Sequence, residues 1–502
     1  MRKWKLWVVF YALIISANGN AQDAEIQKYG NRITEEGLKD YLSILASDAM
    51  EGRETGKRGQ KMAAAFIRSH FEELGLVAPV DGDYFQTLDL YTTRPGENYV
   101  DVGGTRYHNF TEVTYYGNSD SGGEVSIPLI FVGDGSDEAL NHVDIKDKAI
   151  LLLSESQFPT NERLELLRGK GAKMIFISHS QTKADFDMVV KQIKSFFGPR
   201  ELSLRKPMSS SAVPGAFIVS PSMTENFFGL SREELIKIMN KGYKKNAFKK
   251  IKPVDITYLT SSNVKPIKSE NVLGFLEGSD KKEEVLVITA HYDHVGVKQN
   301  GEGDLIYNGA DDDGSGTAAV MELAKIFTQA KQEGKGPRRS ILFMLVTAEE
   351  KGLLGSDYYT QNPVFPLENT VVNLNIDMIG RRDPQHQNSP PYVYVIGADK
   401  LSSELNNVSE ATNKVYTNLI FDYTYNDVSH PDRLYYRSDH WNFAKKNIPI
   451  IFYFDGIHED YHKPSDEVEK IEFDLLTLRT QCIFYTAWEI ANREGRITPD
   501  KQ

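Results

Sequence analysis

The sequence has a single cysteine, Cys482, among its 502 residues, so no disulfide bond can form within one chain. A protein without disulfides depends for stability on its apolar core, on bound metal ions, or on both. Cys482 falls within an apolar helical pattern near the C-terminus, where a free cysteine usually acts as a small buried hydrophobic residue. The cysteine count therefore excludes a disulfide-based scaffold.

The chain also has no excess of basic residues. Its 58 Lys and Arg residues against 70 Asp and Glu residues give a formal net charge of −12, whereas nucleic-acid-binding domains usually carry a basic face. Beyond the N-terminus, no stretch approaches the ~20 apolar residues that cross a bilayer. We therefore predict no nucleic-acid partner and no membrane span in the mature chain. The sequence carries no signal for the oligomeric state.

Residues 1–21 have the three parts of a secretory signal peptide. Basic residues precede an apolar run over residues 7–15, and Gly19-Asn20-Ala21 provides a cleavage site. Such a segment directs export and is too short to remain as a membrane-spanning helix. We expect an exported protein, located in the periplasm or outside the cell.

The length suggests two to four domains, and the sequence pattern changes near residues 120 and 260. Residues 22–119 contain two helical patterns between about 35 and 76. Residues 120–260 contain short β-rich runs such as "SIPLIFV" and "KAILLLS", which indicate a separate small α/β or β-sandwich-like module. In residues 261–502, continuous apolar runs alternate with helical patterns, which predicts a largely parallel sheet with helices on both faces.

In this last segment, acidic residues and histidines follow the predicted strands. Taken one at a time, they have ordinary explanations as helix caps, turn residues or solvated loop residues. Open α/β sheets, however, place their sites beyond the carboxyl ends of the strands, so we expect these side chains to meet. They are His291 and Asp293 after "EVLVIT", Asp311-Asp312-Asp313 at a helix start, Glu349 and Glu350 after "RRSILFMLVT", Asp377 after "TVVNLN", and Tyr461 and His462 after "IPIIFYF".

So many like charges in one place would repel one another unless divalent cations bind there. Imidazole nitrogens and carboxylate oxygens without thiolate suit zinc, with Co²⁺ or Mn²⁺ as substitutes. The carboxylates exceed what one catalytic zinc ion takes, so two ions sharing a carboxylate fit better, and such a centre performs hydrolysis. Because Asp293 and His291 are two residues apart in extended chain, we expect the Asp293 carboxylate to accept a hydrogen bond from the imidazole.

The stretches "HYDH", "GADDDGSG", "TAEEKGLLGS", "NIDMIG" and "YHKPSDEVEKI", in this order, resemble the co-catalytic zinc aminopeptidases of metallopeptidase family 28. The resemblance extends over nearly all of the mature chain. It implies a zinc exopeptidase fold, an α/β three-layer catalytic domain with a mixed, largely parallel central β-sheet flanked by helices. Residues 22–119 and 261–502 would form this domain, and residues 120–260 are similar to the β-rich protease-associated domain that many members insert.

The resemblance also implies a role for individual residues. It gives three ligands to each ion: His291, Asp312 and Asp377 to the first, and Asp312, Glu350 and His462 to the second. Glu349 would be the general base, Tyr461 would donate a hydrogen bond to the oxyanion, and Asp293 would orient His291. Arg437 in "RSDH" would contact the substrate.

The activity that this resemblance implies is removal of N-terminal residues from peptides with a free amino terminus. A carboxypeptidase or dipeptidase of the same fold, a one-zinc glutaminyl cyclase and an inactive binding protein are the alternatives. The bridging Asp312 disfavours the cyclase, and the complete set of expected catalytic residues disfavours an inactive protein.

One structural requirement follows for the adjacent residues Glu349 and Glu350. In a regular strand, neighbouring side chains point to opposite faces, yet both carboxylates have to reach one site. We therefore expect the chain to leave regular strand geometry between Ala348 and Glu350.

Overall fold

The computed structural model describes residues 24–117, 119–155, 161–196, 202–206, 215–242 and 250–501. The predicted signal peptide, residues 1–21, lies outside the described residues. Within the described ranges, no helix is both long enough and apolar enough to cross a membrane. The chain forms two compact units, the first comprising the residues up to Asp89 and from Lys268 onward, and the second comprising Leu90–Ile267.

The strands are, in chain order, β1 (Phe85–Pro95), β2 (Tyr99–Val102), β3 (Thr105–His108), β4 (Val113–Tyr116), β5 (Val125–Phe131), β6 (Ala149–Leu153), β7 (Met174–Ser178), β8 (Leu202–Ser203), β9 (Ala216–Val219), β10 (Val254–Leu259), β11 (Ser262–Leu276), β12 (Lys281–His291), β13 (Gly296–Val297), β14 (Ile306–Tyr307), β15 (Arg339–Val346), β16 (Thr370–Ile376), β17 (Tyr392–Ile396), β18 (Ile420–Asp422) and β19 (Ile450–Phe454).

The α-helices are α1 (Glu35–Leu45), α2 (Arg58–Glu73), α3 (Asp137–Leu140), α4 (Asn161–Gly169), α5 (Lys183–Phe196), α6 (Ser222–Phe228), α7 (Arg232–Met239), α8 (Gly316–Gln332), α9 (Leu354–Gln361), α10 (Ser403–Tyr416), α11 (His440–Ala444) and α12 (Phe473–Asn492). Residues 24–30 are also helical. The acidic run before α8 forms a π-helical turn, Ala310–Ser315.

The first unit is built on a mixed sheet with the strand order β18-β17-β19-β16-β12-β15-β11. The four central strands β19, β16, β12 and β15 are parallel to one another, whereas β11 and β17 run antiparallel to their neighbours β15 and β19. The carboxyl ends of the four central strands therefore meet at one edge of the sheet, where α/β proteins place their sites.

Helices cover both faces of this sheet. Alternate residues of β15 point to opposite faces, so that Phe343 packs in the core with α1, α2, α8 and α12, while Met344 packs with α9 and α11. Because both faces are covered, every residue of β15 is buried, and the strand has a continuous apolar sequence rather than an alternating one. The predicted three-layer α/β fold class is confirmed.

The second unit contains its own sheet, with the strand order β3-β2-β10-β5-β6-β7-β9-β4. Strands β5, β6, β7 and β9 are parallel, and the remaining pairs are antiparallel. Helices α3, α4 and α5 pack on one face, and α6 and α7 pack on the other. The sequence left open whether this module is α/β or resembles a β-sandwich. The structure shows that it is α/β.

The second unit begins at Leu90, earlier than the predicted boundary at residue 120, and ends at Ile267 rather than at residue 260. The early strands belong to its sheet because β2 pairs with β10 and β4 pairs with β9. Their partners lie more than a hundred residues further along the chain, so the local sequence pattern gave no sign of this pairing.

Candidate metal centre

The edge formed by the carboxyl ends of the central strands carries the predicted site residues. β12 ends at His291, Asp377 directly follows β16, and Glu349 lies shortly after β15. The loop that follows β19 brings His462 to the same edge, where its Nε2 atom lies 3.1 Å from Asp312 Oδ2.

Asp312 lies between two groups of donor atoms. Its Oδ1 atom is 3.3 Å from His291 Nε2. Its Oδ2 atom is 3.1 Å from His462 Nε2 and 3.8 Å from His294 Nδ1. Because each oxygen faces different imidazoles, this buried carboxylate has the arrangement that a bridging ligand needs.

The first group of donors consists of His291, Glu349 and Asp377. The His291 Nε2 atom lies 3.6 Å from Asp377 Oδ1 and 3.9 Å from Glu349 Oε2. The His291 Nδ1 atom donates a hydrogen bond to the backbone carbonyl of Asp293 at 3.0 Å. Since a carbonyl oxygen only accepts, this bond fixes the tautomer and leaves Nε2 with a free lone pair toward the carboxylates.

The second group consists of His294, Asp312 and Glu350, with His462 beside it. Glu350 Oε1 lies 2.9 Å from His294 Nδ1 and 3.0 Å from His462 Nε2. His294, the last residue of "HYDH", was not among the predicted ligands, although it is fully buried. Its spacing from His291 was the available signal, and that spacing fits an exposed loop residue equally well.

These donor atoms fit divalent cations. With bonds of about 2.0–2.1 Å, the ligand atoms of a tetrahedral ion are ~3.4 Å apart, and the separations described above run from 2.9 to 3.9 Å. Among the described residues, both ring nitrogens of His294 and the Oε1 atom of Glu350 are buried without a hydrogen-bond partner. Buried polar atoms in native proteins normally have partners, so these atoms are available to bind a metal ion.

Only the middle residue of the run Asp311-Asp312-Asp313 faces both groups of donors. Asp311 accepts a hydrogen bond from one backbone N–H and Asp313 from three, which fixes the strand ends around the site. The donors are Gly380 for Asp311, and His291, Gly316 and Met378 for Asp313.

The adjacent carboxylates of Glu349 and Glu350 have opposite properties. Ala348, directly before them, has a left-handed backbone with φ 57°, so the chain leaves strand geometry as expected and both carboxylates reach the edge. Burial raises the pKa of Glu349 well above its usual value, and neighbouring carboxylates add to the rise. Burial also acts on Glu350, but the neighbouring imidazoles of His294 and His462 bring its pKa down to about 2.

Asp293 makes different contacts from those expected. Its carboxylate lies 4.0 Å from His291 Nδ1, beyond hydrogen-bond distance, because the Asp293 backbone carbonyl accepts from the imidazole instead. The carboxylate accepts hydrogen bonds from the Thr55 hydroxyl at 2.7 Å and from the Glu349 backbone N–H at 3.1 Å. The prediction of a hydrogen bond between the Asp293 carboxylate and the His291 imidazole is therefore wrong. The carboxylate instead positions the backbone of Glu349.

Arg53, from the charged loop between the first two helices, is a further residue of this region that the sequence did not reveal. It is 1% exposed and donates hydrogen bonds of 2.6–2.9 Å to the backbone carbonyls of Leu45, Tyr292, Asn308 and Gly309. Arg53 thereby connects the end of α1, the end of β12 and the entry to the acidic turn.

A cleft opens onto the donor atoms. Tyr461 and Arg437 lie on its wall together with apolar side chains such as Met378 and Leu434. The Tyr461 ring stacks on His462 with a centroid distance of 4.0 Å. The structure thus brings all the predicted site residues to one edge of the sheet, while their individual roles stay predictions.

Comparison with known proteins identifies the segment that holds this site. The model of peptidase family M28 matches residues 271–487. A probable zinc metalloprotease of Leptosphaeria maculans is 28% identical over 261 residues, which cover 46% of this chain and 59% of that protein. Aminopeptidase YwaD of Bacillus subtilis is 27% identical over 236 residues, which cover 45% of this chain and 46% of that protein. The chain thus spans about half the length of these curated relatives.

A solved structure, the aminopeptidase from Aneurinibacillus sp. strain AM-1, is similar to this chain with a TM-score of 0.50 and 18% identity. The similarity covers 96% of this chain and 98% of that one, and at this identity it supports the fold. The segment that is similar to peptidase family M28, residues 271–487, holds both groups of donor atoms.

Proposed function

We propose that this chain is an exported metallo-aminopeptidase that removes N-terminal residues from peptides, with two Zn²⁺ ions per chain. The observation that carries the proposal is the position of Asp312, whose two oxygens lie 3.3 Å from His291 Nε2 and 3.1 Å from His462 Nε2. A carboxylate shared between two sets of nitrogen and oxygen donors fits a pair of ions. The names of the two curated relatives, zinc metalloprotease and aminopeptidase, support the same reaction.

The ligands of the two ions would share one residue, Asp312. His291 and Asp377 would complete the first set, and Glu350 and His462 the second. His294 is a further donor for the second set because its Nδ1 atom lies 2.9 Å from Glu350 Oε1. Co²⁺ and Mn²⁺ accept the same donors, so they should substitute for zinc.

When bound, the ions supply the Lewis acidity that activates water and the substrate carbonyl. The Glu349 carboxylate takes the proton of the attacking water and returns it to the leaving amine. The hydrogen bond from its backbone N–H to Asp293 holds this base at the sheet edge. The Tyr461 hydroxyl donates to the oxyanion that forms on the substrate, and Arg437 contacts the peptide from the exposed part of the cleft wall.

Two further parts of the proposal concern the rest of the chain. Residues 1–21 direct export, so the N-terminal sequence of protein recovered from the periplasm or the medium should begin after Ala21. Unit Leu90–Ile267 is a protease-associated domain, and the resemblance of its sequence over residues 120–260 supports this assignment.

The activity is tested with aminoacyl-chromophore substrates and the mature chain. Hydrolysis should require a free substrate amino group, stop after treatment with a chelator, and return when Zn²⁺ is added. An enzyme that ignores these substrates but removes the C-terminal residue of N-blocked dipeptides would instead be a carboxypeptidase of the same fold.

Two variants separate the general base from the neighbouring ligand. Glu349→Gln should keep two ions per chain by elemental analysis and lower kcat by ~10²–10⁴-fold, the usual contribution of a general base. Glu350→Ala should reduce the metal content. Near-normal turnover in the first variant, or two ions per chain in the second, would contradict the corresponding role.

A further inference from the structure

Strand β16 carries two amide side chains inside the core of the first unit. Asn373 and Asn375 are two residues apart, so they lie on the same face of the strand, and both are fully buried. Thr289 on the neighbouring strand β12 is also fully buried and is paired with Asn375 in the sheet register. Buried polar groups are costly unless they are hydrogen-bonded, so these side chains need partners.

The partners form one continuous series that ends at Asp377. The Asn373 amide donates to the Thr289 hydroxyl at 3.0 Å, and the Thr289 hydroxyl lies 2.6 Å from Asn375 Oδ1. The Asn375 amide lies 2.9 Å from the Ser438 hydroxyl, which in turn lies 2.6 Å from Asp377 Oδ2. We refer to Asn373, Thr289, Asn375 and Ser438 as the core relay.

The charge of Asp377 sets the direction of every bond in the core relay. An ionised carboxylate only accepts, so Ser438 donates to it. The Ser438 oxygen then accepts from the Asn375 amide nitrogen, which turns the Asn375 carbonyl toward Thr289. The Thr289 hydroxyl therefore donates to that carbonyl and accepts from the Asn373 amide. All four dipoles point their positive ends toward the carboxylate, and aligned hydrogen bonds strengthen one another.

The two oxygens of Asp377 are consequently different. Oδ2 is occupied by the bond from Ser438, while Oδ1 lies 3.6 Å from His291 Nε2 in the first group of donors. Ser438 is 1% exposed, so water does not compete freely for this bond. A carboxylate held through one oxygen presents the other in a fixed direction.

We propose that the core relay positions Asp377 as a ligand through Oδ1, with Ser438 as the residue that holds the carboxylate and Asn375 and Thr289 as the residues that hold Ser438. This proposal rests on the proposed function, in which Asp377 binds the first ion. Groups that hydrogen-bond a metal ligand typically change metal affinity by 10–100-fold, so the relay should be visible in metal binding itself.

The test measures the binding of Zn²⁺ to the stripped mature chain by competition with a chelator of known affinity. Ser438→Ala should lower the affinity for one of the two Zn²⁺ ions by about 10–100-fold and leave the affinity for the other nearly unchanged. The visible absorption spectrum of the Co²⁺-loaded protein should change in the same variant, because the carboxylate is free to turn. Ser438→Thr keeps the hydroxyl and should restore both the affinity and the spectrum.

Thr289→Val removes a hydroxyl that is three hydrogen bonds away from Asp377, and it should weaken the binding of the same ion by a smaller factor. The matched control is Thr480→Val, which removes a buried hydroxyl that bonds only to the Leu476 carbonyl in α12. This control should change the affinity for neither ion. It thereby separates a general loss of stability from a loss of Asp377 positioning.

The outcomes distinguish the two proposals. A wild-type chain that binds no divalent ion would overturn the proposed function and the relay with it. A wild-type chain that binds two ions, together with Ser438→Ala that folds and binds both as tightly, would overturn the relay alone. Equal weakening in Ser438→Ala and Thr480→Val would also overturn it. If Ser438→Ala does not fold, an unchanged affinity in Thr289→Val decides against the relay.

Discussion

Replacing Arg53 with methionine should destabilise the first unit and weaken its metal binding together. The guanidinium donates four hydrogen bonds to backbone carbonyls, those of Leu45, Tyr292, Asn308 and Gly309. Methionine fills part of the space but donates nothing, so four buried acceptors lose their charged donor. At the low end of about 1 kcal/mol for each such acceptor, the free energy of unfolding should fall by about 4 kcal/mol.

The loss should extend to metal binding because of where the four carbonyls lie. The Tyr292 carbonyl directly follows the proposed ligand His291, and the carbonyls of Asn308 and Gly309 lie at the entry to the turn that carries the proposed ligand Asp312. Without Arg53, both ligands lose a fixed backbone support. Supporting residues of this kind typically change metal affinity by 10–100-fold, and we expect a loss in that range.

The assay combines urea denaturation with metal competition. Trp441 and Trp488 are the tryptophans of the chain after residue 21 and both lie in the first unit, so their fluorescence reports the unfolding of that unit. Arg339→Met is the matched control. Arg339 is fully buried and donates to the carbonyls of Ile490 and Arg493 at 2.9 and 2.7 Å, at the opposite end of β15.

Arg339→Met should cost a similar amount of stability and leave Zn²⁺ affinity unchanged. If Arg53→Met unfolds at the same urea concentration as the wild-type chain, the loss of about 4 kcal/mol in the free energy of unfolding is refuted. Equal loss of metal affinity in both variants would refute the link between Arg53 and the ligand loops.

Three further predictions test other parts of the first unit. Tyr461→Phe should lower kcat by ~10²–10³-fold with little change in KM, as loss of an oxyanion donor does; unchanged kcat would contradict its role. Gly59→Ala should destabilise by about 3 kcal/mol, because its Cβ would lie 1.7 Å from the Met50 carbonyl oxygen, whereas Gly169→Ala in α4 has open space and should be neutral in thermal melts. Burial raises the pKa of the Cys482 thiol to about 12, so an aromatic disulfide reagent at pH 8 should react only after unfolding, and fast reaction in the folded chain would contradict this burial.

The strands and most of the site could be predicted from local sequence. β12 and β15 are buried on both faces, so each forms an apolar run whose last residues precede His291 and Glu349. Because parallel strands end at the same edge, the residues after these runs had to meet. The break at Ala348 also followed from the sequence, since two adjacent carboxylates reach one side only if the strand ends.

The remaining features depend on partners that are distant in the chain. A buried arginine such as Arg53 has the same local sequence pattern as an exposed one, and its partners are backbone carbonyls between residues 45 and 309. The roles of Asn375 and Ser438 likewise follow from the hydrogen bond between them. Their neighbours in the sequence do not reveal this bond. The Asp293 carboxylate makes other contacts because the Asp293 backbone carbonyl accepts the hydrogen bond from the His291 imidazole. The spacing of the two residues does not reveal which of the two acceptors is used.

The position of Asp312 has a thermodynamic consequence for the proposed metal centre. Its Oδ1 atom faces His291 and its Oδ2 atom faces His462, so one side chain enters the binding free energy of both ions. The two binding events are therefore linked rather than independent. Whatever factor the first ion applies to the affinity for the second, the second applies to the first. Titrations with Zn²⁺ should accordingly require a coupling constant, and Asp312→Asn should remove it.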